Sequence, residues 1–179
     1  YFFYHMTNNK FQKSDNETNL YNNILLLSRN KIFYTKFKLA DTFQNRIILI
    51  FLHISFLFVR SKHDLNTTIY KNFYQRAFDL LFKKIELNMR EVGYSDTLVN
   101  KNMKFLIKSF YEILLYCEKF NKKTDKSKDD FFSKFIRSNN NEKKANNKDL
   151  VDYFNKFETF CFDLHSDSVL KGEIKFNYN

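Results

Sequence analysis

The chain has 179 residues and a net charge of +10, from 30 Lys+Arg against 20 Asp+Glu. It holds 23 Phe and 11 Tyr but only 2 Gly and 2 Cys, with no Pro and no Trp, where an average chain of this length would carry about 12 Gly and about 9 Pro. These counts exclude Gly-rich phosphate loops, a disulfide scaffold or four-cysteine zinc site, and a β-sandwich with its many tight turns.

The composition predicts an all-α, single-domain helical bundle of about five to seven helices with an irregular C-terminal segment, able to bury roughly 70% of its unfolded surface in one core. Phe, Tyr, Asn, Lys and Ile share AT-rich codons, so a nucleotide bias accounts for much of the aromatic richness and part of the charge. The positive balance still favours an anionic partner through long-range attraction.

Residues 1–18 read as a flexible N-terminal segment, polar apart from Tyr1-Phe2-Phe3-Tyr4, without the parts of a secretory signal. The chain starts without Met, as a processed or partial chain would. A helical domain is expected over residues 19–176, with residues 177–179 as a tail. Asn19 to Leu27 reads as a short helix, and Ile32 to Leu39 leans to helix because no second strand is available to pair with it.

Asp41-Thr42 offers N-cap chemistry for the most apolar segment, Ile47 to Val59. That run is about 13 residues, short of the ~20 that span a bilayer, and Arg46 and Arg60 close it, so a buried central helix is expected. A second long helix follows over Thr68 to Val92, with Phe78, Leu81, Phe82, Ile85, Met89 and Val92 as its apolar stripe and Gly93 beyond its end. Ser95 or Asp96 can cap the next, whose stripe is Met103, Leu106, Phe110, Ile113, Leu114 and Cys117.

Asn121 to Lys128 reads as a charged linker and Asp130 to Arg137 as a shorter helix. The Asn/Lys run from Ser138 to Lys148 has the composition of a disordered insertion. Asp149 is expected to cap a last helix with Leu150, Phe154, Phe157, Cys161 and Leu164 on one face. The chain then leaves helix from Ser166 to Gly172, and Glu173 to Phe176 packs across the bundle or runs extended.

Catalysis finds little support. His5, His53, His63 and His165 are scattered, with no HExxH and no i, i+4 pair. His63 and Asp64 project from different sides of a helix, and Cys117 and Cys161 sit on apolar faces as small buried thiols do. No enzyme activity, cofactor or metal is expected. His53 lies within the most apolar helix, where an imidazole needs a hydrogen-bond partner, since leaving it unpaired costs about 1–3 kcal/mol. The segment Lys31 to Lys38 (KIFYTKFK) could stack bases between cations, as single-strand binders do.

Read in order, several segments resemble the ubiquinol–cytochrome c chaperone family, assembly factors for the cytochrome b-containing complex III. Leu39-Ala40-Asp41-Thr42-Phe43, then Leu52-His53-Ile54 and Val59-Arg60, are similar to the family's LPDTF…LHVW…VR. Met89-Arg90 and Gly93, Asn100-Lys101-Asn102-Met103, Phe110-Tyr111 and Leu115-Tyr116-Cys117-Glu118 continue the likeness to KKNM…FY…GYDEG. It ends with Leu150-Val151-Asp152-Tyr153 and Gly172-Glu173-Ile174, similar to LVEYV…GEV. The chain departs from the pattern where Arg46, Ser55, Phe82, Ile136 and Phe176 replace tryptophans, and where Cys117 and Lys119 replace the Asp and Gly of GYDEG. Ser55 removes a large anchor, worth about 3–5 kcal/mol unless neighbours such as Phe51, Phe56 and Phe58 refill the space.

The resemblance implies a non-enzymatic helical chaperone on the matrix side of the mitochondrial inner membrane, peripheral to it. Its implied partners are newly synthesised cytochrome b, a small helical assembly partner and the mitochondrial ribosome. The family-matched positions are Asp41, Thr42, Phe43, His53, Arg60, Tyr116 and Glu118. Structural roles suit them as well: Asp41 and Thr42 as a helix cap, Phe43 as a staple, and Arg60 paired at a helix end. Tyr116 and Glu118 could form a buried corner with His53 or Arg60. A groove between the central helix and the helix after Ser95 would suit an apolar client. Two other readings compete: a permanent structural subunit of a respiratory or ATP synthase complex, and a generic RNA-binding module.

Overall fold

The computed structural model describes residues 16–62, 67–139 and 147–178. Most of the expected N-terminal segment, most of the Asn/Lys insertion and His63 lie outside them, while residues 16–18, expected to be flexible, open the first helix. Within them the elements run α1 (Asn16–Ser28), α2 (Ile32–Thr35), α3 (Phe43–Lys62), α4 (Thr67–Glu91), α5 (Asp96–Cys117), α6 (Asp125–Phe135), α7 (Lys148–Asp163) and α8 (Ser166–Leu170). A single 3-10 turn, Phe120–Lys122, links α5 to α6. No β-strand occurs among the described residues; one isolated antiparallel bridge joins Leu39 to Ser138.

The core is organised around α3, which packs most extensively on α5 and also on α1, α7 and α4. Fifteen residues of this 20-residue helix are buried, from Asn45 to Ser61. Its length and hydropathy would suffice to cross a bilayer, but 78% of that window is inside the protein. The surrounding helices each contribute one apolar face, as their spacing predicts. On α4 these are Phe73, Ala77, Leu81, Phe82, Ile85 and Met89; on α7, Leu150, Phe154, Phe157 and Cys161. Phe supplies most of the largest fully buried side chains, each ring contributing about 2–3 kcal/mol.

Helix ends follow local chemistry. Thr42 Oγ1 accepts from the Asn45 N–H at 3.2 Å, capping α3, and Ser95 accepts from the Leu98 N–H to cap α5. After α4 the chain closes a Schellman motif: Tyr94 N–H reaches Met89 O and Gly93 N–H reaches Arg90 O, both at 3.0 Å, with Gly93 at φ 90°. Gly172 repeats the motif after α8 at φ 70°.

Several boundaries differ from the sequence reading. The Ile32–Leu39 helix stops at Thr35, because Lys38 turns left-handed at φ 58° and Leu39 pairs with Ser138 instead. The second half of the charged linker belongs to α6, which starts at Asp125 behind a Thr124 cap. Asp149 lies inside the first turn of α7, whose N-cap position is Asn147. Ser166–Leu170 forms a short helix rather than leaving helix. Val92 is 67% exposed and belongs to the turn, not the stripe. Glu173 to Phe176 has no regular structure and packs across the bundle, burying Ile174 and setting Phe176 against Tyr153, Phe157 and Phe160.

Candidate functional site

Where the C-terminal end of α3 meets α4 and α5, the three helices leave a groove of about 470 Å³. Its walls are aromatic: Phe58 from α3, Tyr70, Tyr74 and Phe78 from α4, Phe110 and Tyr111 from α5. The rings hold one another in place, with Phe58 and Tyr74 at 4.4 Å between centroids and Phe78 and Phe110 at 5.5 Å. Tyr74 also donates to the Phe58 carbonyl at 3.3 Å, tying α4 to α3.

The rim is polar. Lys62 Nζ and Glu118 Oε1, 2.6 Å apart, join the ends of α3 and α5, and Lys71 lines the wall opposite. This ion pair is exposed on the lysine side (68%), so it holds the rim by no more than about 1 kcal/mol and can open for a ligand. A pocket of roughly 300–1,000 Å³ buries several large side chains. Among the described residues no histidine or cysteine lines it, and its walls offer chiefly apolar contact.

The seven family-matched residues do not form one site. Asp41 is exposed and forms a two-pronged pair with Arg46, at 2.6 and 2.9 Å, and the guanidinium lowers its carboxyl below the usual range. Thr42 caps α3, whereas Phe43 opens the helix 39% exposed and is no staple. Arg60 reaches across to α7 and donates to the Phe162 and Leu164 carbonyls, each at 3.2 Å. The cation thus meets the negative end of a neighbouring helix.

The expected corner of Tyr116 and Glu118 with His53 or Arg60 does not form. Tyr116 instead bonds Ser127 at 3.1 Å and stacks on Phe131 at 3.8 Å, while Glu118 is drawn to Lys62. Of the seven, Glu118 alone lines the groove.

His53 is fully buried and both ring nitrogens are used. Nδ1 lies 2.6 Å from the Leu49 carbonyl, which can only accept, so Nδ1 carries the proton. Nε2 therefore accepts from the Tyr153 hydroxyl at 2.8 Å. Desolvation pushes the imidazole pKa down to about 4, keeping it neutral. Burial raises both thiols, Cys117 and Cys161, well above the ordinary range, so neither is an activated nucleophile.

The KIFYTKFK segment cannot stack bases as drawn from sequence. Phe33 is fully buried against Tyr153, and Phe37 packs on Phe33, Tyr153 and Tyr178.

Four participants escaped the sequence reading. Tyr153 lies 100 residues from His53, beyond any local pattern. Asn45, fully buried, donates to the Ala40 and Arg137 carbonyls and accepts from the Arg137 N–H; a lone Asn among so many gave no signal. Tyr70 and Tyr74 precede the α4 stripe at i, i+4 spacing with Phe78, a row that could have been extended backwards.

Comparison with known proteins places this geometry. A family model described as ubiquinol-cytochrome C chaperone matches residues 35–176. A crystal structure of the Cbp3 homolog from Brucella abortus superposes with a TM-score of 0.76 at 22% identity, covering 91% of this chain and 89% of that one. That likeness is one of fold. No curated protein matches the chain.

Proposed function

Because this chain belongs to the ubiquinol–cytochrome c chaperone family, we propose that it is a non-enzymatic assembly factor that binds newly synthesised cytochrome b during biogenesis of respiratory complex III. The aromatic groove between α3, α4 and α5 is the observation that carries this reading. A newly made membrane protein exposes apolar side chains to water, and a groove of about 470 Å³ lined by six aromatic rings offers them cover. The exposed Lys62–Glu118 pair at its edge opens at little cost.

Family membership also supports work on the matrix side of the mitochondrial inner membrane with a small helical partner. The net charge of +10 suits residence near the mitochondrial ribosome by sequence-independent attraction to RNA.

The test is a tagged pull-down from mitochondria after pulse-labelling organellar translation. Labelled cytochrome b should be recovered early and disappear on chase. Tyr111→Asp, which places a charge in the groove at a half-exposed position, should reduce that recovery by about tenfold, the equivalent of about 1.4 kcal/mol. Recovery of a mature complex at constant ratio throughout the chase would instead mark a permanent subunit.

A further inference from the structure

Of the eleven large apolar side chains exposed among the described residues, five lie on the α4–α5 turn and the outward face of α5. Val92 (67%) and Tyr94 (37%) occupy the α4–α5 turn, and Leu98 (41%), Phe105 (53%) and Leu115 (65%) continue along α5. The opposite face of α5, carrying Val99, Leu106, Phe110, Ile113 and Cys117, is already committed to the core. A helix with one buried stripe needs no second apolar face to fold, so an exposed one marks a surface that awaits cover.

The same outward face is cationic. Lys101, Lys104 and Lys108 are exposed and make no ion pair among the described residues. Of the nearby acids, Glu86 and Asp96 are matched by Arg90 and Glu112 by Lys134, which leaves one exposed carboxylate, Glu91, against the three lysines. The positive charge on this face is therefore not cancelled locally.

We propose that the α4–α5 turn and the outward face of α5 dock the protein on an anionic lipid bilayer surface. From Leu98 to Leu115 the face spans about 26 Å, at about 1.5 Å per residue, and lies flat along the membrane plane. Leu98, Phe105 and Leu115 dip to the acyl boundary while the three lysines extend to the headgroup phosphates, their stems covering apolar surface on the way.

Nucleic acid fits less well, because Val92, Leu98 and Leu115 offer no π-face on which a base could stack. A helix-binding groove on another protein fits less well too. Such grooves take an apolar stripe segregated at i, i+3, i+4, i+7, and here the apolar side chains are interleaved with lysines. The proposal does not rest on the groove as a client site, since none of Lys101, Lys104 and Lys108 lines it.

The experiment is co-sedimentation of the full chain with phosphatidylcholine–phosphatidylglycerol vesicles, against pure phosphatidylcholine. Binding is expected only to the anionic vesicles, falling as salt rises. The triple variant Lys101→Gln, Lys104→Gln, Lys108→Gln should weaken it about 100-fold, given the usual contribution of each surface cation. Phe105→Ser with Leu115→Ser should weaken it while leaving the salt dependence in place.

Three results would overturn the proposal: equal binding to both vesicles, no binding to either, or an equal loss when Lys36, Lys171 and Lys175 are changed to Gln instead. Binding to a single-stranded RNA homopolymer that is lost in the α5 triple variant, without vesicle binding, would assign the face to nucleic acid and also overturn it. All the substituted side chains are at exposed or partly exposed positions, so an unchanged melting curve checks the fold. Recovery of pulse-labelled cytochrome b by the triple variant separates failure here from failure of the client reading.

Discussion

His53 in α3 and Tyr153 in α7 share a hydrogen bond 2.8 Å long inside the aromatic core. Around it, Phe33, Phe154 and Phe157 present ring edges to the imidazole at centroid distances of 6.1, 5.3 and 4.8 Å. The bond ties the central helix to the last long one across 100 residues of chain. Tyr153→Phe keeps the ring and removes the donor. It should destabilise the protein by about 1–3 kcal/mol, the cost of leaving a buried polar atom unpaired. An unchanged denaturation midpoint would show that water or another group serves His53.

The same histidine makes stability depend on pH. Its folded pKa of about 4 lies below the unfolded value of 6.5, so the unfolded chain takes up the proton first as pH falls. Its stabilising contribution is complete above pH 6.5 and is lost between 6.5 and 4, reaching a total of roughly 3 kcal/mol. Melting temperature should fall over that window in the parent protein and fall less in His53→Gln. Parallel curves for the two would sink this assignment.

Ser55 is fully buried in α3, and its Oγ has no hydrogen-bond partner. Phe51, on the same side of the helix, fills the neighbourhood by packing on Phe82 and Phe110. A hydroxyl desolvated without compensation is a cost, so Ser55→Ala should stabilise the fold by about 1 kcal/mol. For a chain of this size that corresponds to a rise of about 2–4 °C in Tm. A fall in Tm would show that the hydroxyl is satisfied inside the folded protein, as by a buried water.

The two glycines should respond differently to the same substitution. Both adopt positive φ, at 90° for Gly93 and 70° for Gly172. A Cβ at Gly93 would meet nothing within 4 Å, whereas at Gly172 it would lie 2.4 Å from the Leu20 nitrogen and 2.7 Å from the Asn16 oxygen. Gly93→Ala should cost only the left-handed strain, about 1 kcal/mol. Gly172→Ala should cost several times that and release the C-terminal segment from α1, visible as faster amide exchange at Ile174. Equal losses at the two positions would contradict the close approach.

How much was legible in the sequence depended on the range of the interaction. The stripes of α4 and α5, the Thr42 cap and the Gly93 stop are local patterns, and the structure reproduces them apart from Val92, which leaves the stripe. The start of α6 was hidden because Lys128 reads as linker. Its side chain is buried, with Nζ on Asn155 at 2.7 Å and 4.4 Å above the Phe120 ring, a placement that only tertiary packing decides. The groove was anticipated between α3 and α5, yet half of its rings come from α4, since Tyr70 and Tyr74 lie outside the stripe chosen by periodicity. Tyr116 and Glu118 were expected beside His53 or Arg60; their real partners, Ser127 and Lys62, sit at the ends of other helices.

Asn45 clasps the Arg137 backbone from both sides, while Leu39 pairs with Ser138. Across from that clasp, Asn147 is pinned by Asp129 and Ser133. The stretch between Asn139 and Asn147 thus starts and finishes at fixed posts that do not depend on its own content. Closing a longer excursion between such posts costs little, about 0.6 kcal/mol for each doubling of its length. Both posts are held by side chains of other helices, so an epitope inserted between them should leave the melting temperature of the helical core nearly unchanged.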